Sequence, residues 1–223
     1  MRAAVFDLDG TLADTSADLI GGANVALEGA GAAARLCPSA DARLAGRGGR
    51  AMLAEGFRRE GLSDAALEAA VDAAVAPFLA AYEARIAAES RLFEGVEPAL
   101  EVLEGAGWRL AVCTNKPERL ARLLLTELGV LGRFAALVGA DTLPVRKPDP
   151  RPFAAAAERA GAVPARSVMI GDTVTDRETA RAAGVPAVLM DLGRSADDVG
   201  ALDADAVVAA YADLPAALTR WAG

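Results

Sequence analysis

The chain has 223 residues, 53% of them hydrophobic, and a formal net charge of −8 at pH 7. This length supports one large domain or two modest ones with a real hydrophobic core. The acidic balance argues against a general nucleic-acid-binding protein, which needs clustered Lys and Arg to neutralise phosphates. The sequence contains no histidine, which excludes Ser-His-Asp catalysis, His-ligated zinc and imidazole proton shuttles.

The sequence also bears on where the protein works. It has no run of roughly 18 uninterrupted apolar residues, and its first residues predict a strand rather than a signal peptide. Its two cysteines, Cys37 and Cys113, are too few for a disulfide framework. We therefore expect a cytoplasmic protein with neither a membrane nor a nucleic acid as partner, and the sequence leaves its oligomeric state open.

The first predicted element is an apolar strand over Arg2–Asp7, which runs directly into Leu8-Asp9-Gly10. Two ionised carboxylates one residue apart repel each other, and burying them without compensation is costly. The end of this strand is therefore either exposed to water or close to a positive charge.

The second predicted region, residues 16–89, is alanine-rich and helical in pattern, with no convincing strand. Thr15 and Asp18 are expected to cap its first helix. Gly31 and Gly61 interrupt the helical pattern. We predict an all-helical domain inserted between the first strand and the remaining chain.

From about residue 91 to the end, strand-like runs alternate with helical segments. These short apolar runs are bounded by Gly, Pro and Asp, as expected for parallel strands buried on both faces. The strands are predicted over 109–114, 135–139, 167–171, 187–190 and 206–209. The intervening helices are predicted to begin at Pro117, after Asp149-Pro150, and near Thr175 with Glu178 completing a capping box. The alternation predicts an α/β fold with a doubly wound, Rossmann-like parallel sheet core.

Polar residues collect where the predicted strands end. Ligands of open parallel sheets bind outside the carboxyl ends of the strands. Each of these residues alone is compatible with a turn, a helix cap or a solvated surface position. Together they predict a functional site at one edge of the sheet. They are Asp7, Asp9, Thr114, Asn115, Lys147, Asp172 and Asp176.

These residues fall in four ordered motifs, FDLDGT, VCTNK, RKPDP and GDTVTD. With them the chain resembles the haloacid dehalogenase superfamily over essentially its whole length, and GADTLPVRKPDP resembles the phosphoglycolate phosphatase branch. The resemblance implies a phosphatase acting on a small phosphorylated metabolite. It also implies a catalytic core of residues 1–15 and 90–223, with the helical insert at 16–89 as a cap domain.

The resemblance assigns the acidic residues. Asp7 is the expected nucleophile, which forms an aspartyl-phosphate, and Asp9 is the expected general acid and base. Mg²⁺ is expected on the carboxylates of Asp7 and Asp172 and on the backbone carbonyl of Asp9. Asp176 is expected to orient water on that metal.

The same resemblance assigns the remaining motif residues. Thr114, Asn115 and Lys147 are expected to hold the non-bridging oxygens of the phosphoryl group, with Thr114 and Lys147 counted as catalytic. Gly10 and Thr11 are expected to shape the substrate-binding turn after the first strand, Gly10 by allowing a tight backbone.

The substrate is less sharply defined than the chemistry. Arg47 and Arg50, in the stretch GRGGR, are candidates to bind the distal carboxylate of phosphoglycolate, and the alternative is a flexible hinge with solvated arginines. Asp9 argues against dehalogenase chemistry, and the lack of lysine in the insert argues against a phosphonatase-type imine. A sugar-phosphate phosphatase, including the N-acetylmuramic acid 6-phosphate type, and a phosphosugar mutase remain open. A non-catalytic binding module is disfavoured because every catalytic position is filled.

Overall fold

The computed structural model describes residues 1–193 and 195–221. The chain divides into two compact units. The core unit comprises Met1–Asp14 and Leu92–Gly223, and the helical unit comprises Thr15–Arg91. These bounds differ from the predicted ranges by at most two residues. The roles of catalytic core and cap remain predictions.

The core unit contains a six-stranded parallel sheet, which confirms the predicted α/β class. Its strands are β1 (Arg2–Phe6), β4 (Trp108–Cys113), β5 (Ala136–Val138), β6 (Val168–Gly171), β7 (Ala187–Met190) and β8 (Ala206–Val208). Their order across the sheet is β5-β4-β1-β6-β7-β8. Two short strands were not predicted, β2 (Ala13–Asp14) and β3 (Arg91–Leu92), and the chain passes between the two units at them.

The central strand β1 lies at the switch point of this topology. Phe6 is in register with Val112 of β4 on one side and with Ile170 of β6 on the other. The chain builds the sheet outward from β1 in one direction through β4 and β5, then crosses to the other side with β6. Such a point is where open α/β sheets bind their ligands, beyond the carboxyl ends of the strands.

Helices cover both faces of β1. Val5 belongs to a buried cluster with Phe153 and Ala180, whereas Phe6 points to the opposite face because side chains alternate along a strand. Both residues are 0% exposed. The helices of the core unit are α5 (Val96–Gly105), α6 (Glu118–Glu127), α7 (Pro150–Arg159), α8 (Val174–Ala183) and α9 (Leu214–Leu218).

Two helix starts differ from the prediction. Helix α8 begins at Val174 because Thr173 and Asp176 form its capping box, so the predicted role of Glu178 is wrong. Helix α6 begins at Glu118, with Pro117 as its N-cap residue rather than its first residue. The shift at α8 matters for the site, since the start of this helix fixes the Asp176 carboxylate.

The regular elements of the helical unit are α1 (Ser16–Gly29), α2 (Ala42–Ala45), α3 (Gly49–Arg59) and α4 (Asp64–Glu83). Helix α4 packs against α1 and α3. By length and composition alone, α4 is the one helix among the described residues that could cross a membrane. Its buried stripe at Leu67, Val71, Ala74, Phe78 and Tyr82 has the spacing of a helix that packs one face within a helical domain.

Asp18 joins the two ends of the helical unit. Its carboxylate is fully buried and accepts hydrogen bonds from the backbone N–H groups of Glu89 and Ser90, at 2.9 and 2.8 Å, and from the Ser90 hydroxyl at 2.8 Å. The Arg85 guanidinium adds a contact at 3.2 Å. The predicted capping pair is therefore wrong, because Thr15 makes no side-chain capping bond and Asp18 bonds to the far end of the insert. Burial acts to raise the pKa of Asp18, but these hydrogen bonds outweigh it and lower the pKa.

Asp18→Asn is expected to cost about 2–3 kcal/mol of unfolding free energy at pH 7, because the amide places a donor against several donors. A lowered folded-state pKa means that the stabilisation is present above the unfolded pKa of about 3.9 and is lost as pH falls through the folded value. The penalty should therefore shrink in acid. Urea unfolding at pH 7 and pH 3 measures it, with exposed Glu101→Gln as control. A penalty that is independent of pH would contradict this account.

Candidate active site

The carboxyl edge of the sheet brings together side chains from distant parts of the core unit. Asp7 follows β1, Asp172 follows β6, and Asp176 lies in the first turn of α8. One oxygen of each carboxylate lies within 4.8 Å of the others, all in buried surroundings. The motifs therefore meet where the sequence predicted, and the site concentrates negative charge.

Lys147 supplies positive charge to this cluster. It reaches in from the loop between β5 and α7 and is 3% exposed, so it is not a solvated surface residue. Its Nζ lies 2.6 Å from Asp176 Oδ1 and 3.0 Å from Asp7 Oδ1. Burial acts to lower the pKa of Lys147, but the two carboxylates outweigh it and raise the pKa. The ammonium therefore stays charged and bridges the two acids.

Asp176 is held at both oxygens. Its Oδ1 accepts from Lys147, and its Oδ2 accepts from the Thr173 hydroxyl at 2.7 Å and from the backbone N–H groups of Thr173 and Asp172 at 3.2 and 3.3 Å. The capping box of α8 thus fixes the carboxylate that positions Lys147.

Asp172 presents an oxygen that could bind a metal. Its Oδ1 accepts a hydrogen bond from the Thr11 hydroxyl at 2.8 Å, while its buried Oδ2 has no hydrogen-bond partner within residues 1–193 and 195–221. A Cβ at Gly10 would lie 2.5 Å from this Oδ2, so the glycine keeps the space beside it open. An unsatisfied buried carboxylate oxygen is costly, and a hard cation with oxygen ligands would satisfy it. Asp7 and Asp172 therefore fit Mg²⁺.

Burial and the closeness of the carboxylates also shift the pKa values of Asp7 and Asp172. Burial raises the pKa of Asp7 to about 6, with the negative charges of Asp176 and Asp9 acting in the same direction and Lys147 opposing them. Burial also raises the pKa of Asp172, reinforced by Asp176 and Asp7. A divalent cation would restore both carboxylates to their ionised form.

Lys116 is a site residue that the sequence reasoning missed. Its Nζ lies 2.9 Å from Oδ1 and 2.9 Å from Oδ2 of Asp9, and the residue is only 7% exposed. The amino-acid composition could have indicated this role, because Lys116 and Lys147 are the only lysines among 23 basic residues. Each of the two lysines pairs with one of the two acids of the FDLDGT motif.

Thr114 and Asn115 lie beside these lysines. Thr114 is 4% exposed, and its hydroxyl accepts from the backbone N–H of Lys116 at 3.2 Å. The side-chain Nδ2 of Asn115 donates to the Lys147 carbonyl at 3.0 Å, which steadies the loop that carries Lys147. The expected contacts of both residues with phosphoryl oxygens remain predictions.

Comparison with known proteins identifies the family. A model of the haloacid dehalogenase-like hydrolases matches residues 1–184. The chain belongs to the haloacid dehalogenase-like hydrolase family. It is 44% identical to the phosphoglycolate phosphatase of Caulobacter vibrioides over 218 residues, which is 95% of this chain and 88% of that protein. It is 43% identical to the phosphoglycolate phosphatase of Xanthomonas campestris over 192 residues, or 84% and 81% of the two chains.

The fold of this hydrolase agrees with solved structures. A crystal structure of a candidate phosphoglycolate phosphatase from Lactobacillus delbrueckii subsp. bulgaricus superposes with a TM-score of 0.86 at 26% identity, covering 97% of each chain. The similarity extends along almost the whole of both chains.

The two arginines of the GRGGR stretch lie in the helical unit of the hydrolase. Arg50, on α3, pairs with Asp72 at 2.6 Å and Glu68 at 3.4 Å, both on α4. Arg47 precedes α3 and is exposed. Both side chains are exposed, and Arg50 forms surface ion pairs that link α3 to α4.

The perturbed Asp7 carboxyl predicts a pH dependence for the metal-free hydrolase. Because its folded-state pKa is raised to about 6, its stabilising contribution is present below about pH 4 and is lost as pH rises through 6. The size is up to about 3 kcal/mol, at about 1.4 kcal/mol per pKa unit. In EDTA, Asp7→Asn should therefore gain stability relative to wild type as pH rises from 4 to 7.5.

Urea unfolding of both proteins across this pH range measures the difference, with the exposed Glu127→Gln variant as a control that should follow wild type. A constant difference between Asp7→Asn and wild type at every pH would show that Asp7 ionises without cost in the folded state.

Proposed function

We propose that the chain is a Mg²⁺-dependent phosphomonoester hydrolase that acts on 2-phosphoglycolate through an aspartyl-phosphate. The observation that carries the proposal is the Asp7 carboxylate at the end of the central strand, with Lys147 on one side and the partnerless Oδ2 of Asp172 nearby among the described residues. The support for 2-phosphoglycolate as the substrate is the similarity of this chain to the phosphoglycolate phosphatases of Caulobacter vibrioides and Xanthomonas campestris.

Asp7 is the proposed nucleophile. Its Oδ1 accepts from the backbone N–H of Leu8 at 2.7 Å and from Lys147 at 3.0 Å, which fixes the orientation of the carboxylate. A carboxylate oxygen attacks phosphorus, the bond to the ester oxygen breaks, and the phosphoryl group remains on Asp7. Water then attacks phosphorus, and free phosphate leaves with Asp7 restored.

Asp9 is the proposed general acid and base. It gives a proton to the departing ester oxygen and later takes a proton from the attacking water. Lys116 holds both oxygens of Asp9, so the carboxyl group stays oriented two residues after the nucleophile. We therefore add Lys116 to the site as a residue that positions Asp9.

The phosphoryl group needs compensation for its negative charge. Lys147 supplies a buried ammonium next to Asp7, and Thr114 supplies a hydroxyl at the end of β4. When bound by the carboxylates of Asp7 and Asp172 and the carbonyl of Asp9, Mg²⁺ would neutralise the anionic ester as it approaches an anionic nucleophile. Asp176 is proposed to support this site by holding Lys147.

Asp7→Asn is expected to keep the fold and to lose Mg²⁺-dependent hydrolysis of p-nitrophenyl phosphate by at least about 1,000-fold, because the amide is a poor nucleophile. Circular dichroism checks the fold, and kcat/KM measured with Mg²⁺ and with EDTA checks the chemistry. Wild-type activity in the variant would mean that the nucleophile is misassigned. Turnover by wild type in EDTA would remove the metal from the proposal.

Phosphoglycolate carries a carboxylate in addition to its phosphate, and we propose that Arg47 binds it. Both arginines are exposed; Arg50 is already paired with Asp72 and Glu68, and Arg47 lies on the segment that precedes α3. An arginine can bind a carboxylate through two parallel hydrogen bonds.

The proposed location is the cytoplasm, in keeping with two free cysteines, Cys37 and Cys113.

Arg47→Ala should lower kcat/KM for phosphoglycolate by about 10–100-fold, the loss expected for a charge-assisted contact worth about 1.5–3 kcal/mol. Hydrolysis of p-nitrophenyl phosphate, which lacks a carboxylate, should change by less than about threefold. Arg50→Ala is the matched control and should affect both substrates alike. Equal losses on both substrates with Arg47→Ala would remove Arg47 as the carboxylate-binding residue.

A substrate panel separates the remaining alternatives. A sugar-phosphate phosphatase, including the N-acetylmuramic acid 6-phosphate type, would show higher kcat/KM for sugar phosphates than for phosphoglycolate. A phosphosugar mutase would form an isomer and require a bisphosphate primer.

A further inference from the structure

We propose that Tyr211 is a positioning residue that sets the orientation of the Asp172 carboxylate through Thr11, and so tunes the affinity of the site for Mg²⁺. Tyr211 lies beyond residues 1–184, the segment that the family model matches. The inference rests on the proposed Mg²⁺ site at Asp7 and Asp172.

The first step is the contact between Tyr211 and the loop after β1. Tyr211 is 1% exposed, and its hydroxyl donates to the backbone carbonyl of Thr11 at 2.9 Å, across 200 positions of the sequence. The base of the side chain lies close to Gly95, where an added Cβ would lie 3.1 Å from Tyr211 Cβ. Replacing Tyr211 with Phe therefore removes the hydroxyl and leaves the rest of the side chain unchanged.

The second step runs from Thr11 to Asp172. Thr11 is 0% exposed, and its hydroxyl donates to Asp172 Oδ1 at 2.8 Å. This bond fixes which carboxylate oxygen is occupied, and it leaves Oδ2 on the side of Gly10. A small displacement of the Thr11 backbone would move its hydroxyl and rotate the carboxylate. Partners that orient a ligand in this way affect metal affinity because they preset the binding geometry.

A second contact from the same part of the chain acts on Asp172. The hydroxyl of Ser195, 7% exposed, donates to the Asp172 backbone carbonyl. Asp197 Oδ2 accepts from the backbone N–H of Val174 at 2.8 Å, and its own N–H donates to Ser195 Oγ at 3.1 Å. The chain after β7 therefore fixes the backbone on each side of Thr173, while Tyr211 acts on the side chain of Asp172 through Thr11.

Tyr211→Phe tests the inference because it removes the hydroxyl and keeps the ring. Tyr82→Phe is the matched control, since Tyr82 is the only other tyrosine, is also 1% exposed, and lies on α4 of the helical unit. Calorimetric titration with MgCl₂ in the absence of substrate measures the Kd, and the Mg²⁺ concentration for half-maximal hydrolysis of p-nitrophenyl phosphate gives a second value.

Tyr211→Phe is expected to raise the Kd for Mg²⁺ by about 3–10-fold, somewhat less than the 10–100-fold typical of residues that contact a metal ligand directly. The half-saturating Mg²⁺ concentration should rise by the same factor, and Ser195→Ala should shift the Kd in the same direction. Tyr82→Phe should leave the Kd at the wild-type value.

Two results would decide against the inference. An unchanged Kd in Tyr211→Phe would overturn it, and an unchanged Kd together with a lower Tm is the result expected of a purely structural hydroxyl. Equal shifts in Tyr211→Phe and Tyr82→Phe would overturn it as well. If wild type itself bound no Mg²⁺, the proposed metal site would be refuted. That outcome can be told apart from the others because it is seen in wild type and not only in the variants.

Discussion

The structure of the site depends on how negative charge is compensated at the end of β1. The central strand delivers Asp7 into buried surroundings that already contain Asp172 and Asp176, and such carboxylates repel one another. One buried ammonium, Lys147, lies within 3.0 Å of two of them and compensates part of this charge. The negative charge that Lys147 does not compensate contributes to the raised pKa values of Asp7 and Asp172. This uncompensated charge is the physical reason why the site is suited to a divalent cation.

The charge balance also explains why the elements around the site are so closely interlocked. Asp176 can hold Lys147 only because α8 begins at Val174 and its first turn presents the carboxylate inward. Lys147 in turn is carried by a loop whose backbone is held by Asn115, the residue two positions after β4. Residues from the ends of three strands therefore depend on one another. A change at any of them is expected to spread to the others, so their effects on activity will not add.

Much of this arrangement could be predicted from the sequence. The parallel strands were recognisable because they are short apolar runs bounded by Gly, Pro and Asp, and strands buried on both faces have no polar alternation to obscure them. The motif residues Asp7, Lys147, Asp172 and Asp176 were expected to meet because the carboxyl ends of parallel strands share one edge. Local patterns were thus sufficient wherever the fold itself brings their ends together.

Contacts over long sequence separations were not predictable in the same way. The capping rule placed Glu178 and Asp18 in helix caps, because the spacing alone cannot tell whether a stronger partner is near. Asp18 instead meets Ser90, 72 positions away, and Tyr211 meets Thr11 across 200 positions. Lys116 was overlooked for a related reason, since the pairing of its ammonium with Asp9 spans 107 positions. Such partners become visible only when the fold is known.

The distribution of lysine has a consequence for the chemistry of the protein surface. Every basic residue other than Lys116 and Lys147 is an arginine, and these two lysines are 7% and 3% exposed. Reagents that acylate or cross-link primary amines, and enzymes that conjugate ubiquitin or acetyl groups to lysine, would find no accessible side-chain amine.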